Sequence, residues 1–151
     1  MGLKGSVVVA TKKWKASKDP LFRGDHKDSV CVPNPAADTS IVRHIMYLEG
    51  PGRETPYLST TERRDVAMRF GQAGGVWSTS VAIVTANGVT HISNSDLLGL
   101  MKGNGKGGAQ WPDAFEVMQA RRYVEEHGEH LLDFRSVTDP AAVVLQVFSN
   151  S

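Results

Sequence analysis

The apolar residues of this chain never run far before a glycine, a proline or an Asn-Gly pair interrupts them, which restricts the fold to short strands and short helices. Val7-Val8-Val9 leads into a Lys-rich stretch around Trp14 that stops at Asp19-Pro20. Leu21-Phe22-Arg23-Gly24-Asp25 predicts a brief strand ending at a glycine turn, and residues 31–40, rich in Pro, Asn, Asp and Ala, predict a surface loop. Tyr57-Leu58-Ser59-Thr60 predicts a strand entered past Pro56. Thr60 or Thr61 then caps a helix through Glu62, Val66, Ala67 and Phe70, with Gly71 as its stop. Residues 75–84 alternate and predict a strand, joined through the turn Asn87-Gly88 to a second strand over 89–92. Ser95 opens a short helix through Leu97, Leu98 and Met101, and Pro112 opens a longer one through Phe115, Met118 and Arg122 that ends near Gly128. Residues 129–134 and 142–148 predict strands, separated by the turn signal Thr138-Asp139-Pro140.

At 151 residues the chain suits one domain with one core, led in by residues 1–20. Its 17 Lys and Arg against 16 Asp and Glu give a formal charge of +1, without the basic surplus of a dedicated nucleic-acid binder. Cys31 is the only cysteine, which excludes an internal disulfide and suggests a plain packing residue. No apolar run approaches the roughly 20 residues of a membrane span, and the N-terminus lacks the apolar stretch of a secretory signal. Met1-Gly2-Leu3-Lys4-Gly5-Ser6 matches the short acylation pattern at Gly2, which is often accidental.

Three motifs stand in a fixed order: Leu21-Phe22-Arg23-Gly24, Tyr57-Leu58-Ser59-Thr60-Thr61, and His127-Gly128-Glu129-His130-Leu131-Leu132. Together they resemble the cholera-toxin-like branch of the mono-ADP-ribosyltransferases, whose pattern is an aromatic-Arg, an aromatic-x-Ser-Thr-Ser/Thr, and a glutamate opening an apolar strand. The resemblance covers about residues 20–135. It implies an α+β domain of two packed, roughly perpendicular small sheets with flanking helices and an NAD+ cleft. It also implies a reaction: ADP-ribose passes from NAD+ to a macromolecular acceptor, expected to be a protein, with nicotinamide released and no metal needed.

The resemblance assigns roles residue by residue. Glu129 would stabilise the positive charge that builds on the ribose as its bond to nicotinamide breaks. Arg23, with Gly24, would hold the dinucleotide, since a guanidinium makes paired hydrogen bonds that a lysine cannot. Ser59 would orient Glu129, with Thr60 and Phe70 beside the cofactor. His127 stands where arginine-modifying relatives carry a second glutamate and others a glutamine, so acceptor recognition falls to His127 and Tyr123 while the acceptor side chain stays open. A bacterial toxin or effector delivered into a target cell, with an immunity partner covering the cleft, is the biological expectation.

Plainer readings stand beside these. Arg23 would otherwise be a solvated surface arginine, Ser59 a strand or cap residue, and Glu129 an exposed strand glutamate. Trp77 and Phe70 read as core residues with a lesser option of stacking on nicotinamide. His127 and His130 with Glu126 have the wrong spacing for a zincin-type zinc pair. The loop Gly103–Gly108 lacks the strand and Lys-Ser/Thr of a phosphate-binding loop, so it reads as mobile. An NAD+ glycohydrolase and a non-catalytic nucleotide- or partner-binding module on the same fold are the rival functions.

Overall fold

The computed structural model describes residues 13–47, 54–70 and 74–151. The Val7-Val8-Val9 strand, the Gly2 site and the Gly71 helix stop lie outside them. The elements run β1 (Leu21–Asp25), α1 (Ile41–Tyr47), β2 (Tyr57–Thr61), α2 (Arg64–Phe70), β3 (Gly75–Thr79), α3 (Val81–Ala86), β4 (Thr90–Ile92), α4 (Asn94–Leu100), α5 (Ala114–His127), β5 (Glu129–Asp133), α6 (Pro140–Val147) and β6 (Ser149–Asn150). The class is α+β. No helix among the described residues is long and apolar enough to cross a membrane.

The strands form one antiparallel sheet of order β4-β5-β2-β1-β3-β6, where two perpendicular sheets were expected. The reason lies at its centre. β1 meets β2 only at Phe22↔Thr61, whereas β2 pairs with β5 and β1 with β3 along their whole lengths. That one contact makes the sheet continuous. Away from it the ladder stops, and the Ser59 carbonyl accepts from the Arg23 guanidinium at 2.9 Å instead.

Both faces of β2 and β5 are covered, so their alternate residues enter different cores. Leu58 and Leu132 join Leu21, Val84, Phe134, Val144 and Val147 in one, while Tyr57 and Leu131 join Val42, Leu97, Val117, Ala120 and Val124 in the other. The second core is where α1, α4 and α5 pack. The glycine-rich segment after α4 is folded into turns, with Gly103 and Gly105 at positive φ and the Trp111 N–H donating to the Gly105 carbonyl.

Two expected strands are helices. The predicted 75–84 strand breaks at Ser80, whose hydroxyl accepts the Ile83 N–H and caps α3, so Asn87-Gly88 ends a helix rather than turning a hairpin. Likewise the predicted strand over 142–148 is mostly α6. Asp139 caps it by accepting the Ala142 N–H, and Pro140 sits in the first turn, where its missing N–H costs nothing. In both segments a β-branched run suggests a strand, but the cap selects the helix, and in α6 the buried Val144 and Val147 stand at i, i+3 spacing. Ser93 rather than Ser95 caps α4, and Asp113 caps α5, which stops at left-handed Gly128 (φ +55) as its glycine predicts. Helix α1, capped by Ser40, occupies sequence in which no element was expected. Cys31 is exposed rather than packed.

Two glycines should respond oppositely to alanine. A Cβ on Gly75 would lie 2.2 Å from the His26 carbonyl oxygen, whereas one on Gly99, inside α4, meets nothing within 4 Å. Gly75→Ala is expected to destabilise by roughly 1–3 kcal/mol and Gly99→Ala to stabilise by about 0.4–1 kcal/mol, both read as midpoint shifts in urea unfolding.

Candidate active site

Strand register places the first pair of site residues. Thr61 lies opposite Glu129 and Ser59 opposite Leu131, so Ser59 and Glu129 share a face as diagonal neighbours. The Ser59 hydroxyl donates to Glu129 Oε2 at 2.7 Å. Glu129 is only 8% exposed, which sets aside the exposed strand glutamate.

The turn that delivers Glu129 is pinned on several sides. Thr61 Oγ1 donates to the His127 carbonyl, the Glu62 N–H to the Gly128 carbonyl, and the Arg63 guanidinium to the Glu126 carbonyl. The Asn94 amide donates to the carbonyls of both Val124 and Glu129, tying the end of α5 to the start of β5. Glu125 and Glu126 are exposed on α5, as expected for residues inside the helix.

Arg23 is 5% exposed, a buried residue rather than a solvated one. Its Nε donates to Asp25 Oδ2 at 2.8 Å and its Nη1 to the Ser59 carbonyl. Asp25 also accepts the His26 and Cys31 N–H groups, so one buried carboxylate aims the guanidinium and holds the start of the following loop. Asp25 was missed in the sequence, although its place two residues after Arg23 is what strand alternation requires of a partner.

His44 was missed too. It stands on the buried face of α1 between Val42 and Ile45. Nε2 lies 2.7 Å from Ser59 Oγ and Nδ1 lies 2.9 Å from Thr55 Oγ1. Because the Ser59 proton goes to Glu129, Ser59 Oγ must accept from His44 Nε2–H, and Nδ1 must accept from Thr55. Thr55 Oγ1 in turn accepts the Tyr57 N–H. The result is an ordered relay, Thr55 to His44 to Ser59 to Glu129, that needs a neutral imidazole. Burial above all, and then Arg23 and Arg43, lower the His44 pKa to about 3, in agreement with that tautomer.

These residues open onto one cleft of about 920 Å³, also lined by Gly24, Thr60, Phe70, Tyr123 and His127. All eight site residues expected from the sequence therefore line the same cavity, joined by Asp25, His44 and the exposed Cys31. The Thr60 hydroxyl is engaged with the His130 carbonyl. Phe70 is half exposed rather than core, and packs edge-on against His127 at 5.2 Å. Tyr123 belongs to α5 rather than to a loop, and stacks on His127 at 5.8 Å. Trp77 packs against the first core and donates to the His26 carbonyl.

His130 has other partners, Glu62 Oε2 at 2.7 Å and His91 at 2.8 Å, with Trp14 over its ring. Among the described residues no group of three His, Cys, Asp or Glu side chains is placed to hold a metal ion.

The neutrality of His44 has a pH signature. Its folded pKa lies below the usual 6.5, so the unfolded chain takes up a proton first and stability falls as pH drops from 6.5 toward about 3. This histidine alone should remove on the order of 2 kcal/mol between pH 7 and pH 5. In urea unfolding, His44→Gln is expected to flatten that part of the pH dependence by this amount, and an unchanged slope would mean that His44 is protonated in the fold.

Comparison with family models, with characterised proteins and with solved structures finds no match to this chain.

Proposed function

We propose that this protein is an NAD+-dependent ADP-ribosyltransferase, which breaks the nicotinamide–ribose bond of NAD+ and passes ADP-ribose to a macromolecular acceptor. The observation that carries the reading is the buried Glu129 carboxylate held by Ser59 beside the buried Arg23, at the wall of a cleft within the size range of ligand pockets.

Each residue then has a physical task. Breaking the glycosidic bond leaves positive charge on the ribose, and a carboxylate oriented beforehand stabilises that charge without reorganising during the step. Glu129 supplies the carboxylate. Ser59 fixes its rotamer, and His44 fixes Ser59 by filling the lone pair that would otherwise let the hydroxyl turn. Arg23 meets the anionic diphosphate, its angle set by Asp25. The specific ADP-ribosyltransferase fold, a toxin role after delivery into a target cell and an immunity partner occluding this cleft belong to the same proposal.

The test is to incubate the protein with NAD+ carrying a tag on its adenosine and with a bacterial lysate, following nicotinamide release and tag transfer together. Glu129→Ala is expected to lower both by roughly 10²–10³-fold, the usual cost of losing one transition-state charge contact. Ser59→Ala should cost less, because the carboxylate remains but is no longer held. Release without transfer would identify a glycohydrolase, and neither signal from the folded protein would end the transferase reading.

A further inference from the structure

Resting on the transferase reading, we infer that the acceptor is a nucleobase of a single-stranded nucleic acid, received on the aromatic shelf formed by Phe70, Tyr123 and His127. The shelf lines the same cleft as Glu129, and His127 precedes Glu129 by two residues. Phe70 and Tyr123 are 50% and 45% exposed, large rings open to solvent where a protein interior would normally cover them. Tyr123 lies within 22° of parallel to His127, and Phe70 stands edge-on to the same imidazole. Exposed rings of this kind offer flat faces on which an unpaired base can stack.

Charge selects among acceptors. Arg63 and Arg69 both act on the His127 ring and, with burial as the largest cause, lower its pKa, while only Glu126 opposes them. At the His127 ring two guanidinium groups stand against the Glu126 carboxylate, which suits the phosphate next to a stacked base, while Glu129 lies deeper in the same cleft. A neutral planar group on an anionic backbone meets both conditions at once. The chain as a whole carries only +1, so the grip is local, on one or two nucleotides.

The chemistry balances. An amine nitrogen of the base bonds to the ribose anomeric carbon as the bond to nicotinamide breaks. The bond's electron pair leaves with neutral nicotinamide, and the proton displaced from the amine goes to the neutral His127 imidazole and then to water.

The deciding experiment supplies tagged NAD+ with single-stranded DNA and RNA homopolymers, the matching duplexes and a bacterial protein extract, and measures nicotinamide release and label on each. In parallel, fluorescence anisotropy follows binding of the same homopolymers to the Glu129→Gln protein, which needs no turnover. The inference expects label on single strands of a particular base and little on duplex. It also expects binding that weakens with salt at a log–log slope of about −1.4, the value for two phosphate contacts, and roughly tenfold loss of binding in Tyr123→Ala. Nicotinamide release with label confined to proteins would overturn the acceptor and leave the transferase standing. Failure of the Glu129→Gln protein to bind any homopolymer would overturn the acceptor regardless of turnover. Absence of nicotinamide release would overturn both readings.

Discussion

The register of β2 against β5 governs everything at the site, because side chains alternate faces along a strand and a slip of one residue exchanges them. In the observed register Ser59 and Glu129 turn the same way. A slip would send Glu129 toward the core that holds Leu58 and Leu132, and bring His130 to the cleft. The core enforces the register. Leu58 and Leu132 must enter one hydrophobic cluster while Tyr57 and Leu131 enter the other, and a one-residue slip of either strand sends both of its core residues to the wrong side. The geometry of a carboxylate and its hydroxyl is therefore set by leucine packing on both faces of the sheet.

Burying Arg23, Asp25, His44 and Glu129 together is costly unless each charge or polar atom finds a partner. The structure meets this with an Arg23–Asp25 pair and a neutral histidine whose two nitrogens are both used. Such a network resists local rearrangement, since moving one member would strand its neighbour in a low-dielectric setting. Rigidity of this kind is what the proposed transferase reading asks of a carboxylate that would face a short-lived cationic ribose. The break in the β1–β2 ladder serves the same end. Where backbone pairing stops, the Arg23 guanidinium takes the Ser59 carbonyl and ties the two halves of the sheet together at the cleft.

Much of this was legible before any fold was known. Strands at Leu21–Asp25, Tyr57–Thr61 and Glu129–Asp133, and a helix stop at Gly128, follow from breakers and apolar runs. The two helices that read as strands share one cause. The segments Val81-Ala82-Ile83-Val84 and Ala142-Val143-Val144-Leu145 are β-branched enough to read as strands, and only the capping bonds of Ser80 and Asp139, with burial of Val84 and of Val144 and Val147, make them helices. Helix α1 escaped notice because seven residues give too little periodicity, and His44 escaped with it.

Sequence by itself determined the residue types, their order along the chain and the local stops that make short elements, because these depend on backbone conformation and nearest neighbours. Arg23, Ser59 and Glu129 were singled out by the resemblance of their three motifs, not by these local rules. Tertiary structure alone decided that these three converge on one cleft with Asp25, His44, Tyr123 and His127, and that the sheet is continuous through Phe22↔Thr61. The physical reason is the range of the interactions. A cap or a glycine turn acts over three or four residues, whereas the bonds from His44 to Ser59 and from Ser59 to Glu129 span 15 and 70 positions and exist only once two cores have packed against both faces of the sheet.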